Sequence, residues 1–153
     1  MMRKFLLSTL FVVLPAAVAF AQSAEDTAKA RMAYFELLGF EMHGLAAMAK
    51  GEVDYDADVA MAHAKDLKAL TGYTISDLFA PGTSNADLPG KTRAQPAIWE
   101  NMDSFQEKGK ALFVAVDELN AAAGNGLDAL RPAVGKLGAA CKGCHDDFRA
   151  KDF

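Results

Sequence analysis

Apolar residues recur along this chain at three- and four-residue intervals, and strand-like alternation is sustained nowhere. Residues 24 to 50 carry Phe35, Leu38, Met42, Leu45 and Ala49 on one helical face, and Gly51 supplies the stop. A shorter helix over residues 56 to 70 follows, with Val59, Leu67 and Leu70 as its stripe and Thr71-Gly72 as its end. That stripe is the least regular of the set. From Tyr73 to Gln95 the pattern lapses, punctuated by Pro81-Gly82, Asn85 and Pro89-Gly90. A connection of that length in a compact domain has a task or packs over something. Pro96 suits the first turn of a third helix, which aligns Ile98, Met102, Phe105, Leu112, Val116 and Leu119. Alanine, glycine and asparagine between residues 120 and 126 break it. The last helix, residues 128 to 151, has Leu130, Val134, Leu137, Cys141, Cys144, His145 and Phe148 on one stripe. Pro132 conflicts with a regular helix there unless it falls in the first turn or so. The pattern predicts an all-α protein, an antiparallel up-down-up-down four-helix bundle whose long central loop crosses one end.

The amino end stands apart from this periodicity. Arg3 and Lys4 precede an apolar run from Phe5 to Leu14, and Ala19-Phe20-Ala21 offers the small-x-small pattern that a signal peptidase cuts behind. The run is too short, and too soon followed by Gln22, Ser23 and acidic residues, to read as a membrane span. Residues 1 to 21 are therefore expected to be a signal peptide, and residues 22 to 153 the exported, periplasmic domain. Removing Arg3 and Lys4 takes the formal charge from −4 to −6. A mildly acidic chain without a basic run argues against nucleic-acid binding.

Export changes how the cysteines read. Both thiols of the chain stand in CKGCHDDFR, residues 141 to 149. An oxidising compartment favours disulfides, but a bridge closing so small a loop would constrain little of the unfolded chain. On a helix, residues 141, 144 and 145 fall within roughly a third of a turn of one another, so both sulfurs and the imidazole are expected to point into the bundle. This is the C-x-x-C-H pattern of covalent haem c attachment. Two sulfurs one turn apart reach the two vinyl groups on one porphyrin edge, and the adjacent histidine swings beneath the ring to coordinate iron. A thioredoxin-like pair would want an α/β pattern, and a zinc site would want further ligands, whereas His43 and His63 lie far off in sequence. Cys141 and Cys144 are thus expected to hold one haem c, with His145 as its metal ligand. Eight residues follow His145, none of them methionine or histidine, so any ligand on the other face must come from upstream.

The chain resembles the cytochromes c′, the class II c-type cytochromes. The resemblance rests on CKGCHDDFR, on ARMAYFELLGFEM in the first helix, and on FAPGTSNADLPGKTRAQPAIWENM across the loop, and it covers essentially all of residues 22 to 153. It implies that Arg31 and Phe35 occupy the places of the family's first-helix arginine and of the apolar residue covering the distal haem face. Arg149 matches the family's basic residue four positions past the histidine. Arg31 and Phe35 lie one turn apart and share a face, which would let a guanidinium pair with a haem propionate while the phenyl ring sits over the iron. Arg149 would shield or hydrogen-bond the imidazole, and Thr92 and Arg93 of the loop would approach a haem edge.

Phenylalanine cannot coordinate iron, so this arrangement implies high-spin, five-coordinate haem that binds small gases such as NO and CO and also transfers electrons. An apolar lid offers dioxygen no hydrogen-bond donor. The alternative is a low-spin electron shuttle with Met32, three residues before Phe35, as sixth ligand. No distal acid–base pair is legible near Phe35, which argues against an enzyme. The resemblance further implies a homodimer through the first two helices and a redox partner that the sequence does not identify.

Overall fold

The structure is a computed structural model, and it describes residues 22–153. The expected signal peptide lies outside the described residues. Six helical segments follow in order: α1 (Ala24–Lys50), α2 (Ala57–Thr71), a 3₁₀ helix (Ile75–Phe79), α3 (Ala97–Glu100), α4 (Met102–Ala122) and α5 (Leu127–Phe148). Among the described residues the only bridge-type pairing is an isolated one between Ala94 and Arg149.

Helix boundaries follow from local chemistry. Ser23 caps α1 by accepting the Asp26 N–H on its hydroxyl at 3.1 Å, and Glu25 and Asp26 complement the positive end of the helix dipole. At the other end Gly51 adopts φ 77°, and the N–H groups of Gly51 and Glu52 turn back to Met48 O and Ala47 O. Asp56 caps α2 by accepting from the Asp58 and Val59 N–H groups at 2.9 and 3.1 Å.

The four long helices close a ring of neighbours: α1 packs on α2, α2 on α4, α4 on α5, and α5 back on α1. Each supplies fully buried leucines to one core: Leu45, Leu67, Leu119, Leu130 and Leu137. Burying one such side chain stabilises by roughly 1.5–3 kcal/mol before entropy is counted. The predicted four-helix bundle is the observed architecture.

Three details differ from the periodicity. Val59 is exposed, because α2 turns Ala60, Ala64 and Leu67 inward at four- and three-residue spacing. These small residues bring α2 close to α1, where a Cβ on Gly44 would lie 2.6 Å from Nε2 of His63. His63 itself makes a half-buried contact with Glu41, Nδ1 to Oε2 at 2.7 Å. The third helix is not continuous from Pro96. Asn101 leaves the helical region at φ −131°, ψ 52°, separating one turn of α3 from α4. The Trp99 indole N–H of that turn donates to Phe79 O at 3.0 Å, which ties α3 to the end of the 3₁₀ helix. Finally, α5 begins at Leu127 and stops at Phe148, with exposed Pro132 accommodated inside it.

Candidate functional site

The end of α5 is held by the loop that precedes α3. Gln95 N–H donates to Phe148 O at 3.0 Å, Ala150 N–H donates to Arg93 O at 2.8 Å, and Ala94 bridges Arg149. The Arg93 Nε–H adds a bond to Ala150 O at 2.7 Å. The long connection therefore clasps the chain immediately behind His145.

Cys141 and Cys144 form no disulfide, and both are half-buried on α5. Burial pushes both thiols above the usual cysteine value; at Cys144 the nearby Lys108 ammonium opposes the rise. His145 differs from the sequence expectation, which turned it inward with the thiols: as a residue it is exposed. Enough protein still surrounds the ring that lost hydration, then the charges of Arg149 and Arg93, hold the imidazole below its ordinary value. Both effects favour the neutral ring, the form that coordinates metals. Arg149 is exposed at the C-terminal cap of α5, its N–H bonded to His145 O at 3.1 Å.

Arg31 is the hub of the other half of the site. It is 3% exposed, and its Nη1 donates to Leu78 O at 3.0 Å and Thr83 Oγ1 at 2.8 Å. Nη2 donates to Thr83 O at 2.6 Å and Thr92 Oγ1 at 2.9 Å. The guanidinium also lies over the Phe79 and Trp99 rings, 5.3 and 5.9 Å from their centroids. Every one of these partners is uncharged. Burial lowers the pKa of Arg31 from the usual arginine value, yet arginine stays protonated in proteins. A buried cation thus stands here, and no carboxylate among the described residues pairs with it. Thr92 is 1% exposed and faces Arg31, while its neighbour Arg93 is bonded to Ala150, five residues past His145.

Between these halves runs a chain of aromatic contacts. Phe35 of α1 meets Tyr34 edge-on at 5.2 Å and Phe79 at 6.3 Å. Phe79 meets Phe105 at 4.7 Å, and Phe105 meets Phe148 of α5 at 5.4 Å. Met32 and Phe35 are both half-buried on α1. The residues present fit a covalently attached porphyrin: two cysteines at the right spacing, an imidazole beside them whose neutral form is favoured, an apolar aromatic wall and a buried cation. Among the described residues no cluster of three or more His, Cys, Asp or Glu side chains offers a rival metal site.

Fold and site together define a c-type haem protein built on a four-helix bundle. The family profile described as Cytochrome C′ matches residues 26–149. The chain belongs to the cytochrome c′ family, and its cofactor is covalently bound haem c. It is 56% identical to cytochrome c′ of Cereibacter sphaeroides over 150 residues, covering 98% of this chain and 99% of that one. The structure of cytochrome c′ from Rhodobacter Spheriodes superimposes with a TM-score of 0.83 at 55% identity, covering 85% of this chain and 99% of that one. Two variants of cytochrome c′ from Alcaligenes xylosoxidans are also similar, each at 35% identity over 84% of this chain. The first is a nitric oxide complex (TM-score 0.73, 97% of that chain) and the second is carbon monoxide-bound (TM-score 0.74, 98% of that chain).

Periodicity misses Phe79, Thr83 and Trp99. Their sequence signal is that all three lie in FAPGTSNADLPGKTRAQPAIWENM, the stretch across the loop that carries the family resemblance.

Proposed function

We propose that this protein is an exported, periplasmic haem protein whose iron is held from one side by His145, is high-spin and five-coordinate, binds nitric oxide or carbon monoxide, and exchanges single electrons rather than performing catalysis. Haem c supplies an iron that cycles between ferrous and ferric states and accepts a diatomic ligand. The observation that carries the reading is Phe35: a side chain with no donor atom, set among Tyr34 and Phe79 on the helix that packs against α5. The gas complexes of the Alcaligenes relatives support it.

In this reading Cys141 and Cys144 carry the thioethers and fix the ring to α5. His145 donates its lone pair, and Arg149 beside it shields the imidazole. Arg31 would meet a haem propionate through its charge, since its four Nη N–H groups are already committed to the loop. Thr92 holds that guanidinium in place. Phe35 forms an apolar lid that a small uncharged ligand pushes aside. Titrating reduced protein with NO should change the haem absorption and saturate at one equivalent per chain; an unchanged spectrum would reject the proposal. Met32→Leu should leave the reduced spectrum as it was, whereas loss of a low-spin pattern would instead establish Met32 as the sixth ligand.

A homodimer through α1 and α2 belongs to the same reading. Leu37 and Phe40 are 52% and 68% exposed on α1, and Val59 and Met61 are exposed on α2. Beside them lies a shallow groove of about 530 Å³ floored by Ala30, Ala33 and Ala69 and rimmed by Tyr73. A second copy would cover this surface, and sedimentation of Phe40→Glu should then show monomer where the parent protein shows dimer. A parent protein that sediments as a monomer would remove the dimer.

A further inference from the structure

We propose that Arg93 is a positioning residue for the redox chemistry: locked to the end of α5, its guanidinium adds to that of Arg149 a fixed positive charge beside His145, and so raises the reduction potential of the bound iron. The inference rests on the reading that His145 is the iron ligand.

The placement of Arg93 is fixed three ways. Its carbonyl accepts from Ala150 N–H at 2.8 Å, its Nε–H donates to Ala150 O at 2.7 Å, and its Cζ lies 5.9 Å from the centre of the Phe153 ring. The neighbouring Ala94–Arg149 bridge ties the same segment to the residue that follows α5. Arg93 thus reaches the proximal side from a different part of the chain than the haem-binding motif.

Its charge is not neutralised there. The two acids of the motif pair with lysines, Asp147 with Lys108 at 2.9 Å and Asp146 with Lys142 at 2.5 Å, and the opposing charge of Asp146 acts on His145 less strongly than either arginine. Among the described residues neither Arg93 nor Arg149 makes an ion pair. Two guanidiniums held close together without a carboxylate repel one another. Folding gains nothing from that repulsion. A group whose charge falls on gaining an electron does gain from it: reduction from ferric to ferrous adds one electron and lowers the positive charge by one. Fixed cations nearby favour the reduced form.

The test is a mediator-coupled potentiometric titration of the haem-loaded protein at about 0.01 M ionic strength, where the screening length is about 30 Å. Arg93→Gln should shift the midpoint potential downward, and Arg93→Lys, which keeps the cation, should stay near the parent value. The Gln shift should shrink at about 0.15 M, where screening acts within about 8 Å. The backbone clasp does not need the side chain, so the variants are expected to mature. Arg93→Met keeps an apolar stem against Phe153 and repeats the measurement if the Gln variant does not. An unchanged potential in the neutral variants, or an equal fall in Arg93→Lys, overturns the proposal. Absorption spectra recorded alongside separate the two readings: an unaltered histidine-ligated spectrum with an unshifted potential sinks the role of Arg93 alone. A parent spectrum without histidine ligation sinks the site assignment itself.

Discussion

Arg31→Met should lower folding stability by about 3 kcal/mol, read from denaturant unfolding of the haem-loaded protein. Two effects oppose each other. Replacing a buried charge by an apolar stem of similar length removes a desolvation penalty, which on its own is neutral or stabilising. The acceptors, however, remain: Leu78 O, Thr83 O, Thr83 Oγ1 and Thr92 Oγ1 all lose the guanidinium, and only Thr92 Oγ1 keeps another donor, the Ala94 N–H at 3.3 Å. Each buried group left unpaired costs roughly 1–3 kcal/mol. The Thr83 hydroxyl keeps its bond to Ala80 O at 2.7 Å, and rearrangement of the loop recovers part of the rest, so the sum falls well short of four full penalties. The acceptors win. Lysine would not rescue the site, because a single ammonium cannot span two loop strands as the planar fork does. Stability equal to the parent protein would mean that the loop is held by its apolar contacts alone.

The second large effect falls on the cofactor. Cys141→Ala together with Cys144→Ala should abolish covalent haem completely: acidified organic solvent should extract all of it, and the polypeptide should lose its haem stain after denaturing electrophoresis. Each single variant should keep one thioether and remain stained. The difference arises because the two half-buried thiols sit one turn apart on a helix whose clasped end fixes their direction. A stained double variant would place the attachment elsewhere.

Helical spacing of apolar residues is enough to mark the four long helices, since Leu38, Leu45, Leu67, Val116, Leu119, Leu130 and Leu137 are all core residues. The C-x-x-C-H spacing carries the cofactor because thioether chemistry tolerates few alternatives. What the amino-acid pattern does not reveal is decided by contacts between distant parts of the chain. Arg31 lies 47 to 61 residues from its four acceptors, so nothing near it in sequence distinguishes a buried hub from a solvated cation. Val59 fits an apolar stripe as well as Ala60 does, and only the close approach of α1 near Gly44 selects the smaller residue. The break at Asn101 likewise accompanies a distant contact, Trp99 reaching back to Phe79 O. Arg93 beside His145 follows from backbone pairing that periodicity does not encode.

The ligand-free ferrous absorption spectrum, recorded before and after adding carbon monoxide, tests the central claim most directly. With His145 as sole protein ligand the spectrum should be high-spin and should convert on adding the gas. A low-spin spectrum that carbon monoxide leaves untouched would mean that a second side chain already holds the iron.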